Sequence, residues 1–339
     1  MKIAVFGAGS IGAYVGGSLM ASGSDVVLIG RARMRAQIER HGLNLTDLHG
    51  ARRVLEAAQI SYTEDPAALK EANLILVTVK SADTAQAAQA IGQHALANAL
   101  VISLQNGVGN AEVLAQALPH LTVLAGMVPF NVVALPEGRL HRGTEGDIGV
   151  QASPALTRWQ GAFKAAGLPL QAFDNFEQVQ WGKLLLNLNN PVNALSGLPL
   201  KAELSQRAYR RCLALLISET LAVLQCAGIA PAKVARIGPK LLPWLLRLPD
   251  FLFVRVAAAM LRIDEEARSS MWDDLQMGRR TEVDYLNGAV VKLAHSIGLD
   301  APANQRIIAL IRQAEAGQQI AYAGEDLLLA ITPNRRSAP

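Results

Sequence analysis

The sequence has few cysteines and a modest share of charged residues. Cys212 and Cys226 are the only cysteines among 339 residues, with neither a C-x-x-C spacing nor a nearby pair of histidines. We therefore expect no disulfide framework and no metal site, and both cysteines are typical of core positions. Charged residues make up 18% and hydrophobic residues 51% of the chain. This balance excludes a disordered or fibrous protein and indicates a well-buried globular enzyme.

A long uninterrupted apolar run is also missing. The most apolar region, Ile237 to Ile263, is broken by prolines and charged side chains. A transmembrane helix needs roughly 18 consecutive apolar residues, so none is expected here. A strand pattern begins already at Lys2, which argues against a signal peptide, and we expect a cytoplasmic protein with no membrane partner.

The net charge is only mildly basic, at +4 with a pI of about 9.2. Basic residues are dispersed along the chain and do not alternate with aromatic ones, so a nucleic-acid partner is not expected. A slightly positive protein suits anionic small molecules such as a dinucleotide or a carboxylate.

The chain opens with the pattern of a strand, a glycine-rich turn and a helix. The strand pattern covers Lys2 to Phe6 and the helix pattern Ala13 to Ser22. The turn between them has the G-x-G-x-x-G spacing and consists of Gly7, Ala8, Gly9, Ser10, Ile11 and Gly12. In a dinucleotide site, the first glycine permits the tight turn, the second lets a pyrophosphate approach the backbone, and the third lets the helix pack against the strand. The helix N-terminus then attracts the phosphates. The alternative is a glycine-rich turn without a ligand, which the strand–turn–helix context disfavours.

The second strand bears on the identity of the dinucleotide. Asp25 to Ile29 is apolar and β-branched after its first residue, and Arg31 follows it closely. A site for NAD usually carries a carboxylate here, whereas a guanidinium can hold the 2′-phosphate of NADP with two parallel bonds. The sequence therefore favours NADP(H), with Arg31 as the principal ligand and Arg33 and Arg35 as possible helpers. The alternative for all three is a solvated, basic start of a helix.

Strands and helices alternate in the first half of the chain, and helices dominate the second. Apolar strand patterns at 72–79 and 100–104 end next to Lys80 and Asn106. Repeated βα units predict a doubly wound α/β sheet of the Rossmann type over residues 1–174, with ligands beyond the carboxyl ends of its strands. Residues 175–331 predict an all-α domain, and 332–339 a flexible tail. The expected helices of this second domain are Glu177 to Asn190, Ser205 to Gly228, Phe251 to Arg262, Thr281 to Ile297 and Asn304 to Gly317.

Two polar residues on one predicted helix are candidates for chemistry. Lys183 and Asn187 are four residues apart and share a helix face. A partly buried lysine has a lowered pKa and can donate a proton to the alkoxide that forms when a hydride reduces a ketone. The alternative is a surface lysine with its stem along apolar neighbours. From the residues alone, a catalytic Lys183 and a surface Lys183 are equally well supported.

Ser270 and Glu282 are weaker candidates. On one straight helix they would stand about 18 Å apart, so joint contact with one small substrate requires a bend, which we expect at Met277–Gly278. The simpler alternatives are a helix cap for Ser270 and a cap or a solvated helix face for Glu282.

Taken together, these motifs resemble those of the ketopantoate reductase (2-dehydropantoate 2-reductase) family over nearly the full length of the chain. The shared motifs are KIAVFGAGSIG with Arg31, VTVKS at Lys80, LQNGVGN at Asn106, WGKLLLN at Lys183 and Asn187, SSM at Ser270, and TEVDYLNG at Glu282. The resemblance implies a Rossmann-type domain followed by a helical domain like that of 6-phosphogluconate dehydrogenase. It also implies NADPH-dependent reduction of ketopantoate to pantoate, in pantothenate and coenzyme A biosynthesis.

The resemblance also implies a role for each of these residues. The turn from Gly7 to Gly12 would line the pyrophosphate, and Arg31 would hold the 2′-phosphate. Lys80 and Asn106 would lie near the nicotinamide and its ribose. The substrate side would consist of Lys183 as general acid, Asn187, Asn190 and Ser270 as hydrogen-bonding partners of the substrate, and Glu282 holding the substrate hydroxyl or orienting the lysine.

One departure from the family pattern leaves the identity of the substrate undecided. A second asparagine followed by proline commonly stands four residues beyond the position of Asn187, whereas here Asn190–Pro191 comes one residue early. A shift of one residue turns a helical side chain by about 100°, so either the helix ends sooner or the substrate pocket differs. The alternatives to ketopantoate reduction are a D-2-hydroxyacid dehydrogenase acting on another 2-oxo acid and a non-catalytic NADP-binding regulator.

The sequence does not determine the oligomeric state, because the apolar stretch from Leu241 to Val254 fits either a homodimer interface or the core.

Overall fold

We describe the protein from a computed structural model, which describes residues 1–233, 237–256, 267–318 and 321–333. The chain divides into two compact units, Met1–Phe176 and Glu177–Pro339. Within the described residues, the strands all lie in the first unit and are β1 Lys2–Phe6, β2 Asp25–Ile29, β3 Leu43–Asp47, β4 Arg52–Leu55, β5 Tyr62–Thr63, β6 Leu74–Val77, β7 Leu100–Ser103, β8 Thr122–Met127, β9 Val132–Leu135, β10 Arg139–Arg142, β11 Ile148–Gln151 and β12 Leu170–Phe173. Its helices are α1 Ser10–Ala21, α2 Ala32–His41, α3 Thr84–His94, α4 Asn110–Ala117 and α5 Thr157–Ala165.

The main sheet has eight strands in the order β12-β11-β8-β7-β6-β1-β2-β5. Six neighbouring strands from β5 to β8 run parallel, β11 pairs antiparallel to β8, and β12 runs parallel to β11. Alternate residues of β1 are buried on opposite faces of this sheet, Ile3 and Val5 in one apolar cluster and Ala4 in the other. The predicted Rossmann-type sheet is confirmed, and the carboxyl ends of β1, β2, β6 and β7 lie along one edge.

A second, four-stranded sheet in the order β4-β3-β10-β9 was not expected from the sequence. Its strands have four or five residues, and β4 and β10 each carry two arginines instead of an apolar alternation. Strand β8 of the main sheet ends at Met127, and β9 of the second sheet starts at Val132. Pro129 lies between them and has no N–H to donate to a ladder.

The second unit is helical within the described residues. Its helices are α6 Phe176–Asn187, which starts at the boundary, α7 Asn189–Ser196, α8 Leu200–Leu204, α9 Arg207–Cys226, α10 Leu242–Leu246, α11 Asp250–Val256, α12 Ser270–Gln276, α13 Asn287–Ser296, α14 Pro302–Glu315 and α15 Gly324–Ile331. The single helix predicted over 177–190 is therefore wrong, as it forms two helices. The helix predicted from Thr281 begins only at Asn287. The parts of the predictions that fall on 257–262 and 334–339 lie outside the described residues.

The apolar stretch from Leu241 to Val254 has one buried and one exposed side. Leu245, Leu246 and Phe253 are buried, whereas Trp244 and Phe251 are exposed. Part of the stretch therefore belongs to the core. Over the described residues, we find no helix with the length and apolar character needed to span a membrane.

Candidate active site

The turn after β1 requires glycine at its first position. Gly7 has a φ of +113°, and a Cβ there would lie 2.4 Å from the backbone nitrogen of Val79. The N–H groups of Gly7 and Ala8 both donate to the carbonyl of Ile29 at 2.9 Å, which ties the turn to the end of β2. No other residue type fits this backbone without displacing the segment after β6.

The other two glycines of the motif have opposite surroundings. A Cβ on Gly12 would lie 2.4 Å from the carbonyl oxygen of Gly7, so this glycine is required by the packing of α1 on its own turn. A Cβ on Gly9 would meet nothing within 4 Å. Gly9 is the N-cap of α1 and, having no side chain, forms no cap hydrogen bond to this helix. The space above Gly9 and the uncapped N–H groups of the first turn fit an anionic group such as a pyrophosphate.

A threonine that sequence reasoning missed supports the turn. Thr78 follows β6, and its hydroxyl donates to the carbonyl of Gly7 at 2.8 Å. Its backbone N–H extends the β1–β6 ladder by donating to Phe6 at 2.9 Å. Thr78 belongs to the VTVKS motif, but nothing in the sequence shows that its hydroxyl reaches the glycine turn.

A buried polar network holds the loops that carry Lys80 and Asn106. Asn110 donates to the carbonyl of Asn106 at 2.8 Å and to the hydroxyl of Ser81 at 3.2 Å. Gln105 donates to the hydroxyl of Thr84 at 2.8 Å and to the carbonyl of Val79 at 3.2 Å. These bonds join the segment after β6 to the segment after β7. The structure thus brings Lys80 and Asn106 to the edge of the sheet where the glycine turn lies, as the sequence predicted.

Arg31 lies at the end of β2, as the N-cap of α2. Its carbonyl accepts a hydrogen bond from the hydroxyl of Tyr62 at 2.9 Å, and its guanidinium forms an ion pair of 2.8 Å with Asp83. Arg35 pairs with Glu64 at 3.1 Å, and Arg33 is exposed. The edge of the sheet beside the glycine turn therefore carries three guanidinium groups, of which Arg31 is the one tied to the loop after β6.

In the helical unit, Lys183 and Asn187 share a face of α6, and both side chains are half-buried. Burial lowers the pKa of Lys183 to about 8, and the nearby carboxylate of Glu282 acts in the opposite direction. Of the three leucines between the lysine and the asparagine, Leu184 and Leu185 are buried in the core, whereas Leu186 is 40% exposed. A lysine with this pKa exchanges a proton near neutral pH, which is what an acid catalyst requires.

Glu282 lies outside any α-helix. It precedes the 3₁₀ turn Val283–Tyr285, and its side chain does not cap that turn. The residues on both sides are anchored to α14, because Thr281 donates its N–H to Glu315 at 2.8 Å and Asp284 forms an ion pair with Arg312. These contacts fix the backbone that carries Glu282. Neither Arg312 nor Glu315 was singled out from the sequence, since their partners are far away along the chain.

The early Asn190–Pro191 pair coincides with a break between two helices. Helix α6 ends at Asn187 and α7 begins at Asn189, with Leu188 between them. In one continuous helix the ring of Pro191 would clash with the carbonyl of Asn187, whereas in the first turn of a new helix proline is tolerated. Of the two possibilities left open by the sequence, the structure has the helix ending sooner.

The asparagines next to Asn190 serve a buried carboxyl group. Asn189 and Asn193 donate to the same carboxyl oxygen of Glu203, at 3.0 and 3.4 Å. Glu203 is fully buried, and burial raises its pKa to about 8. Asn193 also accepts the backbone N–H of Ser269 at 2.9 Å. Asn189 and Asn193 are thus engaged in the core, whereas Asn190 is half-buried.

Ser270 is the exposed first residue of α12 and not its cap. The cap is Ser269, whose hydroxyl accepts the N–H of Trp272 at 3.2 Å and donates to the carbonyl of Asn190 at 3.2 Å. Helix α12 ends at Gln276, and Gly278 has a φ of +61°, so the bend expected at Met277–Gly278 is confirmed. The alternative that Ser270 is a helix cap is wrong, because the adjacent serine has that role.

Glu203 leads to a prediction about stability. Between its ordinary pKa of 4.5 and about 8, the folded protein holds a proton that the unfolded chain has released. Stability from this group is therefore complete below pH 4.5 and is lost as the pH rises to about 8. We expect the free energy of unfolding to fall by up to a few kcal/mol over this range. Glu203→Gln should abolish most of this slope in urea unfolding series, with exposed Glu39→Gln as the matched control. An unchanged slope in Glu203→Gln would show that the carboxyl is ionised in the folded state.

The comparison with known families decides what kind of protein this is. Models of the ketopantoate reductase PanE/ApbA match residues 3–155 and, for the C-terminal part of that family, residues 175–315. The chain belongs to the ketopantoate reductase family. It is also 30% identical over 330 residues to the 2-dehydropantoate 2-reductase of Halobacterium salinarum, covering 93% of this chain and 99% of that protein.

Solved structures agree with this assignment. A ketopantoate reductase of the PanE/ApbA family from Ralstonia eutropha is 31% identical, with a TM-score of 0.79 over 94% of this chain and all of that one. A D-mandelate dehydrogenase in complex with NADH and anilino(oxo)acetate has a TM-score of 0.77 over 94% of this chain and 99% of its own, at 20% identity, and shows the fold alone. The ketopantoate reductase family consists of NAD(P)H-dependent oxidoreductases that act on small molecules. The resemblance seen in the sequence is thereby confirmed at the level of family and fold.

Proposed function

We propose that this protein reduces 2-dehydropantoate (ketopantoate) to (R)-pantoate with NADPH, a step of pantothenate biosynthesis. The observation that carries the proposal is the half-buried Lys183 with a pKa near 8 beside the carboxylate of Glu282, on a helix face shared with Asn187. Membership of the ketopantoate reductase family supports the same reaction.

The residues of the helical unit would carry the proton and hold the substrate. When bound, NADPH would provide the hydride that reduces the carbonyl carbon of the substrate. Protonated Lys183 donates its proton to the carbonyl oxygen as negative charge develops there, which completes the hydroxyl group. Glu282 raises the pKa of Lys183 and so keeps more of it in the acid form. Asn187, Asn190 and Ser270 would hydrogen-bond the carboxylate and the other polar groups of the substrate.

The residues of the first unit would hold the cofactor. The open space above Gly9 and the N-terminus of α1 fit the pyrophosphate, and Arg31 would hold the 2′-phosphate. Lys80 and Asn106 would lie beside the nicotinamide and its ribose. Because a guanidinium and not a carboxylate follows β2, we propose NADP(H) as the cofactor.

A D-2-hydroxyacid dehydrogenase with another 2-oxo acid is the second candidate. The observation that favours it is the Asn190–Pro191 pair, which stands one residue earlier than the family pattern places it. One structural neighbour, named D-mandelate dehydrogenase, provides an example of such a substrate on this fold. A non-catalytic NADP-binding regulator is disfavoured, because both Lys183 and Glu282 are present.

A panel of 2-oxo acids tests the proposal. Purified protein is assayed for cofactor oxidation with ketopantoate and with aliphatic and aromatic 2-oxo acids, using NADPH and NADH side by side. We expect ketopantoate to have the highest kcat/KM and NADPH to be preferred by roughly tenfold or more, since charged hydrogen bonds contribute about 1.5–3 kcal/mol. A higher kcat/KM for an aromatic 2-oxo acid would favour the second candidate. Absence of oxidation with every acid of the panel would refute both.

A further inference from the structure

The guanidinium of Arg31 already has an intramolecular anionic partner. Its Nη2 lies 2.8 Å from Oδ2 of Asp83, which immediately precedes α3. Arg31 follows β2 and Asp83 follows β6, and these two strands flank β1 in the sheet. The ion pair therefore connects the two sides of the glycine turn that follows β1.

This ion pair is exposed and easily broken. The side chain of Arg31 is 85% exposed and that of Asp83 33% exposed. Exposed ion pairs of this kind change the folding equilibrium constant by a factor of about one to five, so the contact adds little to the stability of the fold. An anion that approaches Arg31 must nevertheless displace the carboxylate or share the guanidinium with it.

We propose that Asp83 sets the cofactor preference of this enzyme by competing with the 2′-phosphate for Arg31, an inference that rests on the proposed use of NADPH. Asp83 pairs with Arg31, the first arginine after β2, and its negative charge repels a group that carries up to two negative charges. NADH has no 2′-phosphate and does not meet this competition. Asp83 therefore weakens the binding of NADPH but not that of NADH, and so reduces the preference of the enzyme for NADPH over NADH.

The neighbouring pair of Arg35 and Glu64 offers a matched control. It lies one helical turn further along α2, and its N–O distance is 3.1 Å. Burial, and to a smaller extent the negative charge of Glu64, raise the pKa of the nearby Tyr62. This second pair has the same chemistry and a similar position on the surface but does not include Arg31. Removing its carboxylate tests whether any loss of negative charge near the cofactor would have the same effect.

The test is a set of dissociation constants for NADPH and NADH, measured by titration calorimetry on the full chain. We expect Asp83→Asn to tighten NADPH binding about two- to fivefold and to change NADH binding less than twofold. Glu64→Gln should change NADH binding less than twofold and NADPH binding less than Asp83→Asn does, since it releases Arg35, a possible helper, and not Arg31. In an Arg31→Ala background, Asp83→Asn should have less than half of its original effect on the logarithm of the NADPH constant. Thermal unfolding confirms that each variant is folded.

The outcomes separate the inference from the proposed function. If Arg31→Ala weakens NADPH binding but Asp83→Asn leaves it unchanged or weakens it, Asp83 is not a competitor and the inference fails alone. An equal gain for NADPH and NADH in Asp83→Asn also overturns it, because the effect would then not involve the 2′-phosphate. If Arg31→Ala leaves NADPH binding unchanged, the proposed cofactor assignment fails and the inference fails with it.

Discussion

Replacing Lys183 by alanine is expected to lower the turnover number of 2-oxo acid reduction by roughly 10²–10⁴, the range of a lost general acid. The dissociation constant of the cofactor should stay nearly unchanged, because Lys183 lies in the helical unit and is proposed to act on the substrate carbonyl. Lys240→Ala removes an exposed lysine of the same unit and is the control for a general loss of positive charge. Unchanged turnover in Lys183→Ala would remove this residue from the mechanism.

The pH dependence of the reduction tests the same role. Because burial lowers the pKa of Lys183 to about 8, the acid form predominates below this pH and is depleted above it. We expect kcat/KM for reduction to fall about tenfold per pH unit above pH 8, whereas kcat/KM for oxidation of the 2-hydroxy acid should rise up to about pH 8 and level off above it. Lys183→Arg keeps its charge at these pH values and should lose this limb of the profile. A limb that persists in this variant would belong to another group.

The second large effect is expected from Gly9→Ala. A Cβ at this position meets nothing within 4 Å, so the fold should tolerate the methyl group and the thermal unfolding midpoint should barely change. The methyl group would occupy the space proposed for the pyrophosphate, where overpacking costs about 1–3 kcal/mol. We therefore expect the NADPH dissociation constant to rise roughly 5- to 150-fold, measured by titration of nicotinamide fluorescence.

Gly7→Ala provides the contrasting variant. Its Cβ would lie 2.4 Å from the backbone nitrogen of Val79, and its φ of +113° is unfavourable for alanine. This variant should lose stability in urea unfolding even without cofactor, whereas Gly9→Ala should not. If Gly9→Ala binds NADPH as tightly as the unmodified protein, the pyrophosphate does not approach the backbone at this turn.

Local patterns were sufficient to predict much of the fold. The parallel strands β1, β2, β6 and β7 are short runs of apolar residues, and such runs are buried because both faces of the sheet are covered. The second sheet was missed, since β4 and β10 carry exposed arginines instead of an apolar pattern. Both strands are defined by their hydrogen bonds to β3, which β10 reaches from far along the chain. The helix break at Leu188 was left open, although Pro191 provides the physical reason for it.

In the candidate site, too, some features follow from the local sequence and others depend on tertiary contacts. The shared face of Lys183 and Asn187 follows from helical periodicity, and the sequence therefore predicted it. The influence of Glu282 on the pKa of Lys183 depends on a contact between segments far apart in the chain. The same holds for Glu203, because its hydrogen bonds from Asn189 and Asn193 depend on how α7 and α8 pack together.

By itself, the sequence determined the strand–turn–helix that opens the chain, the arginine after the second strand and the spacing of Lys183 and Asn187. Each of these depends on neighbours within a few residues, where backbone geometry limits the choices. Only the tertiary structure decided that Gly9 faces open space while Gly7 and Gly12 do not, that Asp83 pairs with Arg31, and that Ser269 and not Ser270 caps its helix. These features depend on residues brought together by packing, and the chemical types of two residues do not show whether folding makes them neighbours.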